Sequence, residues 1–448
     1  MRKTWVVITA LAMSALPVLG QEAAPESEPG SRTWSWRART EVRANYRNSE
    51  DERLPLRFPF PPDFIPAGQT QVFLQTVDPG SHVELSVANV QFDVAYGDFL
   101  GARAKIHLTD KYRRNPTSDD RMIDADELFL RVGTKPELLE RPAGTSYFAQ
   151  IGKFPKMERQ PLRLLESYGL NATTFNRFED TQLMAGGTVG RNLYWRVQLS
   201  NGNPVFFRDY NALAGDNGTD ERRPPNPQPK LNSGFPTLYD AEVEDLVINT
   251  SHMELGEGLG YRWQRADGRL GFDAILYHYR RELADAVDLT GTFYKGDLAL
   301  LDGVGGIGLP FRGDTKQEWG GRVYGEWHNL TVIGQATKQN LAGLYRRGYE
   351  LEAGYSFPLN FGPRIGGESL VQFIQPAGRV SGIKTYFRGP STFVAPSVWW
   401  PWSKYDGGVR VGFAKGIDLT VEYSDHSITA ARKFNMRETL VTVRWRRG

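Results

Sequence analysis

The sequence predicts an all-β protein, a transmembrane antiparallel β-barrel with short periplasmic turns and long outer loops. Three observations predict it. One stretch alternates strictly between apolar and charged residues. The same rhythm recurs along the chain. Short turns alternate with long polar loops, which is the rhythm of outer-membrane barrels.

The first observation is Thr33 to Arg47, TWSWRARTEVRANYR. Every second residue from Trp34 is apolar or small: Trp34, Trp36, Ala38, Val42, Ala44 and Tyr46, with Thr40 the exception. The other set carries Arg37, Arg39, Glu41, Arg43 and Arg47. Successive strand side chains point to opposite faces, so this strand has a greasy face and an ionic face. A row of arginines cannot be a soluble core. A half-solvated soluble sheet would show the same alternation. The strand's length, its terminal aromatics and its recurrence favour lipid on one side and water on the other.

The totals agree. Charged residues are 24% and hydrophobics 40% of 448 residues. No apolar run outside the N-terminal segment is long enough for a spanning helix, which excludes a helical membrane protein. Aromatics reach 12% and there are 47 glycines, as many strands with interface girdles and tight turns require. With no cysteine, disulfides, thiolate metal sites and cysteine nucleophiles are absent. The 54 basic residues exceed the 52 acidic ones by Arg2 and Lys3, so no nucleic-acid partner is expected.

Residues 1–20 read as a secretory signal: basic Arg2-Lys3, an apolar run from Trp5 to Leu16, and small residues before Gln21. Residues 21–31 form an acidic, Pro-containing linker expected to be disordered, and 32–448 the barrel. Export plus amphipathic strands predicts the outer membrane of a Gram-negative-type cell, with outer-membrane lipid as the surroundings.

After the first strand, Asp51 to Gly80 is rich in Pro and reads as a long loop. Ser81 to Tyr96 is a strand whose phase changes near Asn89, predicting a bulge. Ala102 to Thr109 follows, with Arg103, Lys105 and His107 on its polar face. Lys111 to Asp126 reads as a charged loop, and Glu127–Gly133 and Tyr147–Gly152 as a strand pair. Lys153 to Asp180 does not alternate. Within it, Gln160 to Tyr168 has a Pro near its start, leucines at 162, 164 and 165, and Gly169 at its end, predicting a short helix. Thr181 to Ser200 resumes strands around Gly190-Arg191-Asn192, and Asn201 to Pro236 is a long polar loop. Hairpins then turn at Ala266-Asp267-Gly268, His328-Asn329 and Ala414-Lys415-Gly416, and Thr439 to Trp445 closes the barrel. The count falls between about 14 and 18 strands, and about 16 is favoured because single-chain barrels take even numbers.

The stretch Ile151 to Leu170, IGKFPKMERQPLRLLESYGL, resembles the phosphate-selective porins, the porin O and P type. Gly152, Lys153, Phe154, Pro155, Glu158, Leu165 and Glu166 match that family in kind, and TVGRNLYWRVQLSNGNP is similar to its next hairpin, with Asn201-Gly202 opening an outer loop. The resemblance implies a 16-stranded barrel, often a homotrimer, with an inward loop and lumen cations guiding anions. The chain departs from the family in its Pro-rich loop after the first strand, and in Arg446-Arg447-Gly448 following the last aromatic.

The candidate site is therefore a pore. Arg37, Arg39, Arg43, Arg47, Arg103 and Lys105 form a basic ladder that would favour small anionic solutes such as phosphate or carboxylates. The alternative is mixed charge that cancels across the lumen, since Glu350, Glu352, Asp418 and Glu422 also lie on polar faces. Lys153, Lys156, Glu158, Arg159, Arg163 and Glu166 would line a constriction if residues 153–180 fold inward. A solvated surface loop is the other reading. Asp209, Asn211, Asp216, Asn217 and Asp220 are dense in oxygen ligands for calcium, but the spacing is not that of an EF-hand and such loops use Asp and Asn for turns. No metal or other cofactor is expected. The histidines 82, 107, 252, 278, 328 and 426 form no HExxH, and no GxSxG is present, so no enzyme is expected. The function expected is a passive porin. A substrate-specific or polysaccharide-export barrel of the alginate-export type is the second reading.

Overall fold

The computed structural model describes residues 33–50, 52–55, 70, 73–75, 80–107, 123–140, 144–160, 162–175, 179–202, 250–284, 298, 309–389, 400–429 and 432–448. The segments expected to be a signal and an acidic linker, and the Asp209 to Asp220 cluster, lie outside these residues.

One sheet closes on itself. It begins with β1 (Trp34–Ser49), whose neighbours are β4 (Gly80–Tyr96) on one side and β19 (Lys433–Arg447) on the other. From β4 the wall passes through β5 (Leu100–His107), β6 (Asp124–Gly133), β7 (Ser146–Phe154), β8 (Asp180–Val189) and β9 (Leu193–Ser200). It continues through β10 (Glu254–Gln264), β11 (Leu270–Glu282), β12 (Thr315–Trp327), β13 (Leu330–Leu341) and β14 (Leu344–Tyr355). Next come β16 (Glu368–Thr385), β17 (Trp402–Phe413), β18 (Ile417–Thr429) and β19. Every pairing is antiparallel, which makes 16 staves. Two short strands, β2 (Arg53–Pro55) and β3 (Phe73–Gln75), pair with each other within the loop after β1.

β15 (Phe357–Ile365) is not a separate stave. It continues β14 past Ser356 in the same direction and pairs with the first half of β16. The two make a ribbon that runs beyond the rim at the short-turn end.

The wall is inside-out relative to a soluble protein. On β1, Trp34 is 67% exposed while Arg47 is 0%. Leu259, Leu276, Trp319, Tyr349 and Val443 face outward. Arg196, Asp273, Glu318, Arg379 and Glu422 are buried on the inner face. The phase change on β4 is a register shift opposite Arg43 and Ala44: Val87 pairs with Arg43 and Leu85 with Ala44, so Ser86 is the extra residue. The bulge therefore lies three residues before Asn89. Asp124 to Asp126 belong to β6 rather than to a charged loop.

Turn chemistry fixes the register. β13 and β14 are joined by Ala342 and Gly343, with φ 48° and 86°. Positive φ at both central positions is the type I′ requirement, whose twist suits a two-residue hairpin. This turn sits at the long-loop end, so the division into a short-turn rim and a long-loop rim is not complete.

Candidate functional site

The site is the lumen, and its contents come from both rims. Gly152 near the end of β7 has φ 132°, and a Cβ there would collide with the Leu128 carbonyl. The chain leaves the wall after Phe154, and its following described residues meet side chains of the inner face. Lys153 itself is not a lining residue. β7 extends through it, and it shares the parity of the outward Tyr147, Ala149 and Ile151, paired in register with Leu128 and Thr181.

Lys156 enters first. Its ammonium meets Glu254, which also accepts from Lys316 at 2.8 Å. Glu158 accepts from the Tyr279 hydroxyl, and both are buried. Burial pushes the Glu158 carboxyl up to about 7, partly offset by Lys156 and by the Tyr279 bond. Arg159 pairs with Glu179 at the end of the segment. Burial likewise raises Glu179 to about 7 against the pull of Arg159, with Asp126 adding to the rise.

The expected helix over Gln160 to Tyr168 does not form. The wall takes its amides instead. Glu352 on β14 accepts from the backbone N–H groups of Leu164 and Leu165, the latter at 2.9 Å. Glu422 on β18 accepts from the N–H groups of Glu166 and Ser167 at 2.9 and 3.2 Å. Those donors are thus satisfied without helical bonds, as buried amides must be. A six-residue helix, α1 (Leu170–Phe175), forms one step later. It docks through the Leu170 amide to Ser381 Oγ at 3.1 Å and the Ala172 amide to Glu350 at 3.2 Å.

Arg379 on β16 organises this side. It reaches Asp406 at 2.9 Å, Glu352 at 3.5 Å and Glu422 at 3.7 Å, and donates to the Ser167 carbonyl at 2.8 Å. Its side chain and those of Glu352 and Asp406 are 0% exposed. Glu166 sits among Arg410 at 2.6 Å, Arg444 at 3.1 Å and Arg43 at 3.5 Å. Burial works against its ionisation, but those guanidiniums hold the carboxyl down at about 2. Arg163 lies over the Tyr168 ring at 3.6 Å and donates to the Glu166 carbonyl.

A second intrusion comes from the short-turn rim. Residues 134–140 fold in after β6, and Leu139 packs with Leu164, Tyr324 and Ile333. The two intruding segments therefore touch. Lys135 lies 5.6 Å from the Phe148 ring, and burial with Arg196 and Arg131 nearby pushes its amine down to about 7.

The remaining sector, β1 and β4 to β6, is wetter. Arg103 bonds Asp93 at 2.6 Å and Glu127 at 3.2 Å, with 26% of its side chain exposed. Lys105 pairs with Asp126, which also faces His107 at 3.4 Å. Arg43 bonds Glu41 at 2.6 Å. Arg47 is different: it is buried against Ser49 at 2.9 Å and Glu438 at 3.4 Å. Arg37 and Arg39 are exposed near the short-turn rim, and among the described residues no carboxylate lies within ion-pair reach of either. The basic ladder is thus interleaved with acids over much of its height, and it is not a run of bare cations. Asp126, Glu127 and Glu179 offer oxygens within 4.8 Å of one another, each already held by Lys105, Arg103 or Arg159.

The sequence did not single out Arg379, Asp406, Arg410 or Arg444. Inward parity on β16, β17 and β19 was the available signal.

No family model matches the chain, and no curated protein matches it. Among solved structures, it is similar to the outer membrane channel DcaP of Acinetobacter baumannii at 9% identity, TM-score 0.49, over 94% of this chain and 99% of that one. It is similar to OmpT, an outer membrane protein of Vibrio cholerae, at 10% identity and TM-score 0.47, over 94% and 99%. It is also similar to OprB of Pseudomonas putida at 10% identity and TM-score 0.47, over 92% and 94%. These are likenesses of architecture, and the role of this lumen rests on its own residues.

Proposed function

We propose that the chain is an outer-membrane porin that lets small solutes diffuse along one sector of its lumen, with a preference for anions such as phosphate or carboxylates. One observation carries the reading. A closed wall, apolar outside, leaves β1 and β4 to β6 lined by solvated charged side chains while the inward segment fills the opposite side. Barrels of this size ordinarily enclose an aqueous channel. No covalent chemistry is involved.

The preference follows from the charges of that sector. Among the described side chains of that sector, Arg37, Arg39, Arg43, Arg103, Lys105 and Arg131 outnumber Glu41, Asp93, Asp126 and Glu127. An excess of cations lowers the barrier for anions. The neutralising pairs make the preference mild. The resemblance to the phosphate-selective porins supports the same direction and carries with it a homotrimer, while the basic and apolar pattern of residues 1–20 supports export.

Planar-bilayer recording tests the reading. Steady conductance with a reversal potential displaced toward chloride is the expected result. A silent barrel would overturn it. The two intruding segments favour one other reading, an occluded barrel of the alginate-export type. A silent wild type that conducts once residues 156–168 are deleted would select that alternative.

A further inference from the structure

The outer face of the wall carries a charged patch that the pore does not use. Lys338 on β13 pairs in register with Arg347 on β14, and Arg347 with Lys384 on β16. All three side chains point outward and are exposed. Inward parity belongs to their neighbours Gln339, Arg346 and Ile383. Among the described residues, none of the three has a carboxylate within ion-pair reach. Arg347 and Lys384 both lie over the Tyr386 ring, at 5.2 and 5.7 Å. Arg280 stands one step toward the long-loop rim on β11, outward and exposed.

The row continues away from this patch as Trp319 and His278, whose rings stack at 3.8 Å, and ends at Glu257 beside His278. Neighbouring strands are about 4.8 Å apart, so Glu257 lies three strands from Lys338 and does not neutralise it. One step below that row, away from the long-loop rim, the outward positions are Gly321 under Trp319, Ala336 under Lys338, Tyr349 under Arg347 and Gly382 under Lys384, with Leu276 flanking Gly321. A cluster of cations thus stands above a shallow apolar trough.

Cations facing hydrocarbon are expensive unless they reach an interface or an anion. Lys and Arg side chains extend their charged ends toward the headgroup layer. We infer that Lys338, Arg347 and Lys384 form a docking site for the phosphorylated headgroup of an acidic lipid in the leaflet on the long-loop side, with an acyl chain lying along the Gly321 and Ala336 trough. The fork of Arg347 suits a phosphate in two-point contact, and the two lysines add charge on either side. The inference needs only the barrel wall, and it stands whether or not the lumen conducts.

The test uses the full chain in nanodiscs of phosphatidylcholine with a minority of phosphatidic acid, whose headgroup is a bare phosphate. Lipids retained on release from the disc are counted by native mass spectrometry. The variant K338Q/R347Q/K384Q is compared with wild type, and R347K serves as the charge-retaining control. Each basic residue near an anionic headgroup is worth about a factor of five, so the triple variant is expected to lose retained phosphatidic acid relative to phosphatidylcholine by on the order of a hundredfold. R347K should keep most of it. Equal retention by wild type and triple variant would overturn the site. Unchanged retention with a smaller oligomer would overturn it too, and would assign the patch to a second copy of this chain. Conductance of the triple variant should equal that of wild type, which separates this result from the porin reading.

Discussion

The packed sector and the open sector of the lumen use the same residue types to different ends. On β14, β16 and β18, the side chains of Glu352, Arg379 and Glu422 are buried; the two carboxylates accept from backbone N–H groups of the inward segment and Arg379 donates to its Ser167 carbonyl. On β4 to β6, Asp93, Arg103 and Lys105 form similar pairs with about a quarter of each side chain in water. Removing one member of a buried pair leaves an uncompensated charge. Removing one member of a solvated pair leaves a charge that water accepts. One sector is therefore a mount and the other a passage.

The largest effect is expected at the mount. Arg379→Met strips the cation from Glu352, Asp406 and Glu422, and breaking a buried network of this kind costs roughly 3–5 kcal/mol. The inward segment should detach, with a several-fold rise in single-channel conductance and a lower denaturation temperature. An unchanged conductance would show that the segment is held elsewhere.

Glu166→Gln comes next. It removes the anion shared by Arg43, Arg410 and Arg444 and releases positive charge toward the passage. Anion preference should increase, read as a larger reversal potential in a salt gradient. A shift toward cations would contradict the assignment.

A pH effect of intermediate size should follow from Glu158. Its carboxyl is raised to about 7 in the folded chain, so the docked segment holds a proton there that an undocked one releases above its ordinary value of 4.5. Docking stability is greatest below about 4.5 and is lost as pH rises through 7. Glu179 acts in the same direction. Glu166 acts oppositely, and its contribution disappears only as pH falls from 4.5 toward about 2. Conductance noise from segment motion should thus grow between pH 5 and 7.5, and E158Q should remove about half of that slope, the rest belonging to Glu179.

The smallest effects belong to the passage. Replacing Arg37, Arg39 and Arg103 by Gln should lower the anion preference modestly, more at low salt than at high salt, because screening acts within about 10 Å at 0.1 M. The reversal potential at two salt concentrations distinguishes this from a change in pore size.

Sequence and structure agree where the physics is local. The two-residue alternation of β1 and the turns at His328 and Lys415 are written within a few residues of themselves, whereas residues 153–180 could be read either as an inward segment or as a surface loop. The bulge on β4 was legible as a phase change, though displaced to Asn89. The helix expected from Pro161, Leu162, Leu164 and Leu165 failed for a reason no local window contains. Carboxylates at positions 352 and 422 compete for its amides. Lys153 was assigned to the lumen because the end of β7 was placed two residues too early, at Gly152 rather than Phe154, and a strand that continues sets parity for every residue on it. The ladder's partners, Asp93, Glu127 and Asp126, lie on neighbouring strands, so their neutralising effect required register.

The ribbon formed by β15 and the start of β16 bears on how the molecule avoids its own kind. A closed cylinder offers no unpaired row of amides and carbonyls, but this extension does. β15 pairs with β16 alone among the described strands, and Phe361 and Ile365 are exposed on it. Such an edge invites strand addition from another chain. Pro358 and Pro363 occur within β15, and neither has a backbone N–H to offer a pairing strand. Replacing both by Val would raise the strand propensity of this extension and favour edge-to-edge aggregation at the short-turn end.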